Sequence, residues 1–189
     1  FHFYPIYFLS HELDNFLTFL FNYFAGETLN ITIAKNTNFL LHIFNSYLLF
    51  ELLRLIFKPQ DLREKLAIYL SSFIFLVHPI GSQIIFNVTT RNESLALFFS
   101  LLSFIYAFKL YEKKLIVNFF FVGLLYFFAL CSKLIAVSFI AIIPVTIFLI
   151  NFKNHNFKEN IKRVTPILLT LIIIFIIFYQ IRSNFIDQN

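Results

Sequence analysis

The chain has 189 residues, of which 59% are hydrophobic and only 13% are charged, and its mean hydropathy is +0.80. A soluble domain of this length cannot bury so much apolar surface, so the composition excludes an ordinary soluble globular protein. The formal net charge of +5 would fit a nucleic-acid-binding protein, but the placement of the basic residues explains that charge without nucleic acid. A single cysteine, Cys131, excludes an internal disulfide bond and a cysteine-based metal site.

Residues 1–38 are predicted to form a non-cytoplasmic loop. The stretch NFLTFLFNYF at 15–24 is too short to cross a bilayer and is typical of an interfacial or re-entrant helix. Because the chain begins at Phe1 and contains no methionine, we expect it to be a piece of a longer protein. In that interpretation the upstream start and any C-terminal repeat domain are missing.

Residues 39–189 are predicted to form a transmembrane domain. Its apolar segments are near the length of about 20 residues that crosses about 30 Å of hydrocarbon as a helix, and the second is the shortest. Strands of a membrane barrel would be shorter and would alternate in polarity. We therefore expect an all-α, polytopic transmembrane helix bundle with about six spans plus the interfacial helix. The six segments are 39–57, 64–80, 94–110, 115–132, 134–152 and 164–182.

The basic residues alternate between the two sides of these predicted spans. Eleven lie in one set of connections, and four lie in the other set. Cytoplasmic loops carry the excess of Lys and Arg in membrane proteins, so the richer set is predicted to be cytoplasmic. The richer set is Arg54, Lys58, Arg63, Lys65, Lys109, Lys113, Lys114, Lys153, Lys158, Lys162 and Arg163, and the poorer set is Lys35, Arg91, Lys133 and Arg182.

Several polar side chains are predicted to lie at the same level on the non-cytoplasmic side. His78 ends one span, Arg91 and Glu93 begin the next, and Lys133 lies in a short turn. Neighbouring antiparallel helices could bring these groups into one pocket, where Arg and Lys would bind a lipid phosphate or pyrophosphate. The simpler alternative remains open for each residue, since Arg and Lys at span ends often only reach to headgroups and Glu93 would stabilise a helix N-terminus.

The order of short motifs resembles the membrane region of the tetratricopeptide-repeat protein O-mannosyltransferases and their bacterial relatives. The motifs are spread over most of the chain, and the transmembrane order agrees with the predicted topology. They are NYFAG at 22–26, NFLLHIFNSYLLFELL at 38–53 with Asn38, His42 and Asn45, HPIGSQ at 78–83, RNESLALFFSLLSFIY at 91–106 and ALCSKLIAV at 129–137. Two departures are Leu134, where the family usually has Glu, and SHELDNFL, which lacks the expected Arg-Pro.

This resemblance implies a fold of the GT-C type and an integral-membrane glycosyltransferase. Such an enzyme moves a sugar, here mannose as the candidate, from a polyprenyl-phosphate carrier to an acceptor hydroxyl of a protein or glycan on the non-cytoplasmic face. It implies no resident cofactor and no metal. The bilayer and the lipid-linked donor are the expected partners, in a bacterial cytoplasmic membrane or, in a eukaryote, the endoplasmic reticulum.

The residues expected to carry this chemistry fall into two groups. Arg91 and Lys133 would bind the lipid phosphate and stabilise it as a leaving group, and Glu93 belongs to the same site. His78 and Gln83 would orient that phosphate. A carboxylate of the first outer loop would be the base that takes the proton from the acceptor hydroxyl. Glu12 and Asp14 are candidates for this base, and Glu27 is a third. We expect the true base upstream of Phe1.

Two other classes of function stay open. A transporter or flippase would have polar or broken helices at mid-membrane, whereas Gly123 and Pro144 are here the only interruptions expected inside the spans. A catalytically inactive membrane anchor for a repeat domain is the third class, and Leu134 favours it.

Overall fold

The computed structural model describes residues 5–6, 9–16, 30–87, 90–113, 116–152 and 156–186. Within these ranges the regular structure is helical throughout, which confirms the predicted all-α class. The first helix, α1, covers 9–16. The others are α2 (Asn30–Phe57), α3 (Leu62–Val77), α4 (Pro79–Phe86), α5 (Arg91–Lys113), α6 (Ile116–Ser132), the 3-10 segment Leu134–Ser138, α7 (Phe139–Asn151) and α8 (Phe157–Ile186). Most of the predicted interfacial segment 15–24, the NYFAG motif and Glu27 lie outside the described residues.

Four helical stretches in the described part of the chain are long and apolar enough to cross a membrane. They are Ile33–Phe57, Arg91–Glu112, Leu134–Asn151 and Phe157–Asn184. The segments predicted at 64–80 and 115–132 correspond to α3, with 16 residues, and α6, with 17 residues. At 1.5 Å per residue these two helices are about 24 and 26 Å long, somewhat less than the hydrocarbon thickness.

Helix α5 is the centre of the bundle. In its most apolar stretch 61% of the residues are buried against other helices, compared with 22–28% in the other three long stretches. It packs against α2, α6, α7, α8 and the 3-10 segment. Phe104 and Phe108 of α5 and Tyr126 of α6 are core residues. The N-terminal end of α5 is polar, and because α5 is central, its residues Arg91, Glu93 and Ser94 lie where several elements meet.

The His-Pro pair ends α3 and begins α4. His78 has an extended backbone (φ −62°, ψ 134°), because the ring of Pro79 disfavours the helical conformation in the residue before it. Pro79 then occupies the first turn of α4, where its missing N–H costs no hydrogen bond. The His78 ring caps the new helix, since its Nδ1 accepts a hydrogen bond from the Ile80 N–H at 3.3 Å. The span predicted at 64–80 therefore ends three residues early.

Prolines lie inside two of the helices. Pro144 lies inside α7, as expected, and Pro166 lies inside α8 within the predicted span 164–182. The expectation that Gly123 and Pro144 are the only interruptions was wrong. The helix continues through Pro166, because an apolar environment makes the alternative of unpaired backbone groups more costly than a local distortion.

Candidate functional site

Arg91 is the first residue of α5 and is almost completely buried, with 1% of its side chain exposed. Its Nε donates to Asn38 Oδ1 at 2.6 Å and its Nη2 donates to the Ala34 carbonyl at 2.8 Å, both on α2. Its Nη1 forms an ion pair with the Asp14 carboxylate of α1. A buried guanidinium needs such partners, because an unpaired charge in an apolar interior is very unfavourable.

Asp14 is held from a second side. Thr37 Oγ1 donates to Asp14 Oδ1 at 3.0 Å, and the Asp14 side chain is 5% exposed. We call Asp14, Thr37, Asn38 and Arg91, with the carbonyls of Ser10 and Ala34, the Arg91 cluster. It joins α1 to α2 and α5, so it fixes the position of the outer segment on the bundle.

Three polar residues form a buried stripe along α2. Asn38, His42 and Asn45 are spaced four and three residues apart, so they share one helix face. Each is at most 2% exposed. His42 Nε2 lies 3.1 Å from the Leu76 carbonyl of α3, and Asn45 Nδ2 donates to the Ser94 carbonyl and hydroxyl of α5 at 3.0 and 2.9 Å. The stripe thereby fastens α2 to both neighbours.

A cavity of about 600 Å³ lies beside this stripe, between α2, α3, α4, α5, the 3-10 segment and the start of α7. Its walls are mostly apolar, with Phe75, Leu97, Ile135 and Phe139 among them. From Glu93 to Ser100, both of which line it, α5 rises about 10 Å, so the cavity extends well along that helix. A mostly apolar cavity of this size with a few polar groups is typical of a site for a small organic ligand.

An ion pair between Lys133 and Glu93 lies at one end of this cavity. Lys133 precedes the 3-10 segment and Glu93 is in the first turn of α5. Their side chains are 29% and 44% exposed, so solvent or headgroups reach both. His78 lines the same cavity; since its Nδ1 accepts from Ile80, its Nε2 carries the hydrogen and can donate. Glu93 and His78 therefore line the cavity, and Lys133 lies beside it through its ion pair with Glu93. We call the part of the cavity at Glu93 its polar end.

The five residues predicted to share one pocket are only partly brought together. His78 and Glu93 line the cavity, and Lys133 joins them through Glu93. Arg91, although only two residues before Glu93, is outside the lining and its donors are directed at α1 and α2. Gln83 is exposed on α4 and is also outside the lining. Arg91 and Gln83 are therefore not among the residues around this cavity, and Lys133 is beside it only through its ion pair with Glu93.

The two candidate carboxylates of α1 differ in their surroundings. Glu12 is exposed, whereas Asp14 is buried against Arg91 and Thr37. His11, the residue before Glu12, has a pKa lowered below its ordinary value, first by burial and then by the positive charge of Arg91. The charges of Asp14 and Glu12 oppose this shift without cancelling it.

Residues that the sequence interpretation did not assign to the site include Ser94, Ser100 and Ala136, all of which line the cavity. His42 and Asn45 were named only within a motif, although their spacing on one helix face predicts a polar contact surface. Leu134, where a Glu was expected, packs against the hydrophobic core. The carboxylate partner of Lys133 is Glu93 instead.

Among the described residues, no group of three His, Cys, Asp or Glu side chains is placed to hold a metal ion. No residue set is therefore assigned to a metal.

Comparison of the chain with protein-family models, curated proteins and solved structures finds no match in any of the three.

Proposed function

We propose that this chain is part of an integral-membrane glycosyltransferase that uses a polyprenyl-phosphate sugar, with mannose as the candidate sugar, and an acceptor hydroxyl on the non-cytoplasmic face. The observation that carries the proposal is the mostly apolar cavity with Lys133, Glu93 and His78 at one end. An amphipathic donor needs apolar walls and a cationic group for its phosphate. The walls of this cavity are mostly apolar, and Lys133 lies beside it, paired with Glu93 of the lining. The motif order that resembles the O-mannosyltransferases supports the same function.

The proposed topology has six spans, which are the four long stretches together with α3 and α6. Helices α3 and α6 cross the bilayer as shorter spans, with modest local thinning. The cavity's polar end then lies at the non-cytoplasmic ends of α3 and α5, which is where a GT-C-type enzyme would meet its lipid-linked donor. The membrane is a bacterial cytoplasmic membrane or the endoplasmic reticulum.

In the proposed reaction the acceptor oxygen forms a bond to the sugar C1 as the bond from C1 to the phosphate oxygen breaks. The leaving polyprenyl phosphate gains negative charge, which Lys133 stabilises and which the His78 Nε2–H assists. Glu93 holds the Lys133 ammonium at the cavity. The acceptor hydroxyl loses its proton to a carboxylate, for which Glu12 is more accessible than the buried, paired Asp14.

Arg91 has a different role in this proposal from the one expected at first. Its contacts with Asp14, Asn38 and Ala34 make it a positioning residue that holds α1 beside the bundle. Gln83 is exposed on α4, and its contact with the donor stays a prediction.

A transporter or flippase is the second candidate function. The observation that favours it is the pair of prolines, Pro144 and Pro166, inside neighbouring helices α7 and α8. Such interruptions are frequent in carriers. An inactive anchor is the third, and Leu134 beside Lys133 favours it.

The deciding experiment is sugar transfer in proteoliposomes that contain the full-length protein and radiolabelled polyprenyl-phosphate mannose. We expect transfer by the unaltered protein, its loss in Lys133→Ala, and its retention in the control Lys35→Ala. Lys35 is a matched control because it is a lysine of the same predicted face that lies on α2, whereas Lys133 pairs with Glu93 of the cavity lining. Movement of the lipid across the bilayer without transfer would support the flippase instead, and neither activity would support the anchor.

The orientation can be tested with single cysteines in a Cys131→Ser background. Gln83→Cys is exposed on α4 and is expected to react with an impermeant maleimide only from the non-cytoplasmic side. Lys109→Cys, exposed at the other end of α5, is expected to react only from the cytoplasmic side. The reverse pattern would contradict the proposed topology.

A further inference from the structure

A second cavity, of about 480 Å³, lies where α2 and α3 are joined, toward the opposite end of α2 from the Arg91 cluster. Its charged lining residues within the described chain are all basic: Arg54 on α2, Lys58 in the connection and Lys65 on α3. The Arg54 and Lys58 side chains are 57% and 64% exposed, and Lys65 is exposed as well, so a ligand can reach all three. We call this cavity the α2–α3 basic pocket.

The three cations of the pocket keep donors for a ligand. Arg54 pairs with Glu51 at 2.7 Å, and Lys58 pairs with Glu112 of α5 at 2.6 Å. Each retains further N–H donors, because a guanidinium has five and an ammonium has three. The Lys65 ammonium forms no ion pair within the described residues. Like charges around one concave surface repel each other, so an anion between them is favourable.

Lys58 has a left-handed backbone conformation, with φ of 44°. Its N–H donates to the Arg54 carbonyl at 3.1 Å, and Gln60 Nε2 donates to the Lys58 carbonyl at 2.9 Å. This conformation is unfavourable for a residue with a Cβ, and glycine is the usual residue where a helix ends in it. The exposed ion pair with Glu112 stabilises the fold only weakly, so anion binding gives a further reason for a lysine at this position.

The other end of the pocket is apolar. Phe50 and Tyr69 stack with their ring centroids 4.9 Å apart, and both line the pocket. They lie one helical turn, about 6 Å, farther from the connection than the two cations on the helices. On the surface of α3, Leu62, Leu66 and Leu70 recur at every fourth residue and are all exposed. Charge at the connection and apolar side chains along α3 follow the order of headgroup and acyl chains in a phospholipid.

We propose that the α2–α3 basic pocket binds the phosphate group of an anionic phospholipid, whose acyl chains lie along the exposed surface of α3. A phosphate is bound by converging N–H donors, which Arg54, Lys58 and Lys65 supply. These three residues belong to the predicted cytoplasmic side, where basic pockets between helices bind anionic headgroups. A soluble phosphate would use the same cations but not the exposed leucines. The binding does not depend on the proposed sugar transfer, since the pocket is separate from the cavity at Glu93.

Lys65→Ala is the sharpest variant, because the Lys65 ammonium has no ion pair in the described part of the chain to lose, and we expect an unchanged unfolding temperature. Arg63→Ala is the matched control. Arg63 is also an exposed cation of α3, but it lies about 200° round the helix from Lys65 and is not among the residues that line the pocket. Lys58→Gly removes a second donor, and glycine suits the backbone conformation there, so the connection is expected to fold.

The experiment is a titration of the full-length protein in an uncharged detergent, followed by the fluorescence anisotropy of phosphatidylglycerol labelled on one acyl chain. The competitors are unlabelled phosphatidylglycerol, phosphatidylcholine with the same acyl chains, and inorganic phosphate at matched ionic strength. We expect only unlabelled phosphatidylglycerol to displace the probe effectively. Lys65→Ala and Lys58→Gly are each expected to weaken binding of the probe about fivefold, and Arg63→Ala is expected to leave it unchanged.

The same loss in Arg63→Ala as in Lys65→Ala would overturn the proposal, because it would show a general attraction to the basic surface. Unchanged binding in Lys65→Ala, or equal displacement by phosphatidylcholine, would also overturn it. Displacement by inorganic phosphate at the concentration of the competing lipid would overturn the assignment to a lipid and identify a soluble phosphate as the ligand. None of these results bears on sugar transfer, which is measured separately.

Discussion

The Arg91 cluster and the cavity are two polar regions within one apolar bundle, and they differ in how their polar atoms are satisfied. Arg91 donates to acceptors on α1 and α2, and its ion-pair partner Asp14 also accepts from Thr37. In the cavity Asn45 Oδ1 and Ser100 Oγ have no partner within the described ranges. The exposed fractions differ as well, at 1% and 5% for the Arg91–Asp14 pair and 29% and 44% for the Lys133–Glu93 pair.

Under the proposed function, this difference separates a structural polar cluster from the donor site. A saturated, buried cluster contributes to the position and specificity of the elements that it joins, but it offers no group to a ligand. The Lys133–Glu93 pair is partly exposed, so its charged groups can still form hydrogen bonds with a ligand. Although Arg91 and Glu93 are only two residues apart, we expect substitutions at the two regions to give opposite profiles of stability and activity.

The largest expected effect is that of Arg91→Ala on stability. Its removal leaves the Asp14 carboxylate buried and unpaired, which costs about 3–5 kcal/mol in buried pairs. Thermal unfolding in detergent measures this loss, and sugar transfer is expected to fall with it. Arg54→Ala is the control, because Arg54 pairs with Glu51 on the exposed surface of α2 and is expected to contribute less than about 1 kcal/mol.

The double variant Arg91→Ala, Asp14→Asn sharpens this prediction. A neutral amide removes the unpaired charge, so part of the lost stability is expected to return. A stable Arg91→Ala single variant would show that the cluster is not the structural element described above.

Lys133→Ala is expected to give the opposite profile. The partly exposed ion pair with Glu93 is expected to contribute about 0–1 kcal/mol to stability, so the unfolding temperature changes little. In the proposed reaction Lys133 stabilises the leaving phosphate, so its loss is expected to lower transfer about 100-fold or more. Equal losses of stability in Lys133→Ala and Arg91→Ala would remove the distinction between the two regions.

Gly81→Ala tests how closely the cavity wall is packed. An added Cβ would lie 2.8 Å from His42 Nε2, so the His42 ring must shift from its position near the Leu76 carbonyl. We expect a loss of about 1–3 kcal/mol and weaker donor binding, measured by unfolding and by lipid titration. Gly123→Ala is the matched control, since its Cβ would lie 3.3 Å from Ile174 and requires only a small adjustment; an equal loss there would contradict the prediction.

The smallest expected effect is a pH dependence of the α1 docking. Burial and then Arg91 lower the pKa of His11, so the unfolded segment takes up a proton at higher pH than the docked one. The stability of docking is therefore fully present above about pH 6.5, the ordinary pKa of His, and falls as the pH is lowered through that value. Hydrogen exchange of the α1 amides measures it. His11→Gln is expected to reduce the change, and an unaltered pH profile in that variant would exclude His11 as the cause.

Much of the fold could be predicted from the sequence, because apolar run length determines which segments can form membrane-spanning helices. The all-α class and the four long stretches follow from it. The end of α3 did not follow from run length, because the restriction that Pro79 imposes on His78 acts before the apolar run ends. Pro166 was overlooked because it lies near the start of an otherwise apolar segment.

The site was less predictable, because the depth of a residue in the membrane does not determine which neighbour its side chain points toward. His78 and Glu93 line the cavity and Lys133 pairs with Glu93, but their role in one site stays a prediction. The partner of Arg91 could not be identified, since Asp14 is far away in the sequence and is brought near only by the docking of α1. The spacing of Asn45 with Asn38 and His42 predicts that the three share one helix face. A serine in an apolar helix, such as Ser100, usually bonds to its own helix backbone, so its position predicts no contact with another element.

The most direct measurement is a structure of the protein determined with bound polyprenyl-phosphate mannose. We predict the phosphate on Lys133, the sugar beside it in the cavity, and Arg91 still paired with Asp14. A phosphate bound to Arg91, with Asp14 released, would contradict the division between the two regions. So would a donor bound elsewhere with the cavity unoccupied.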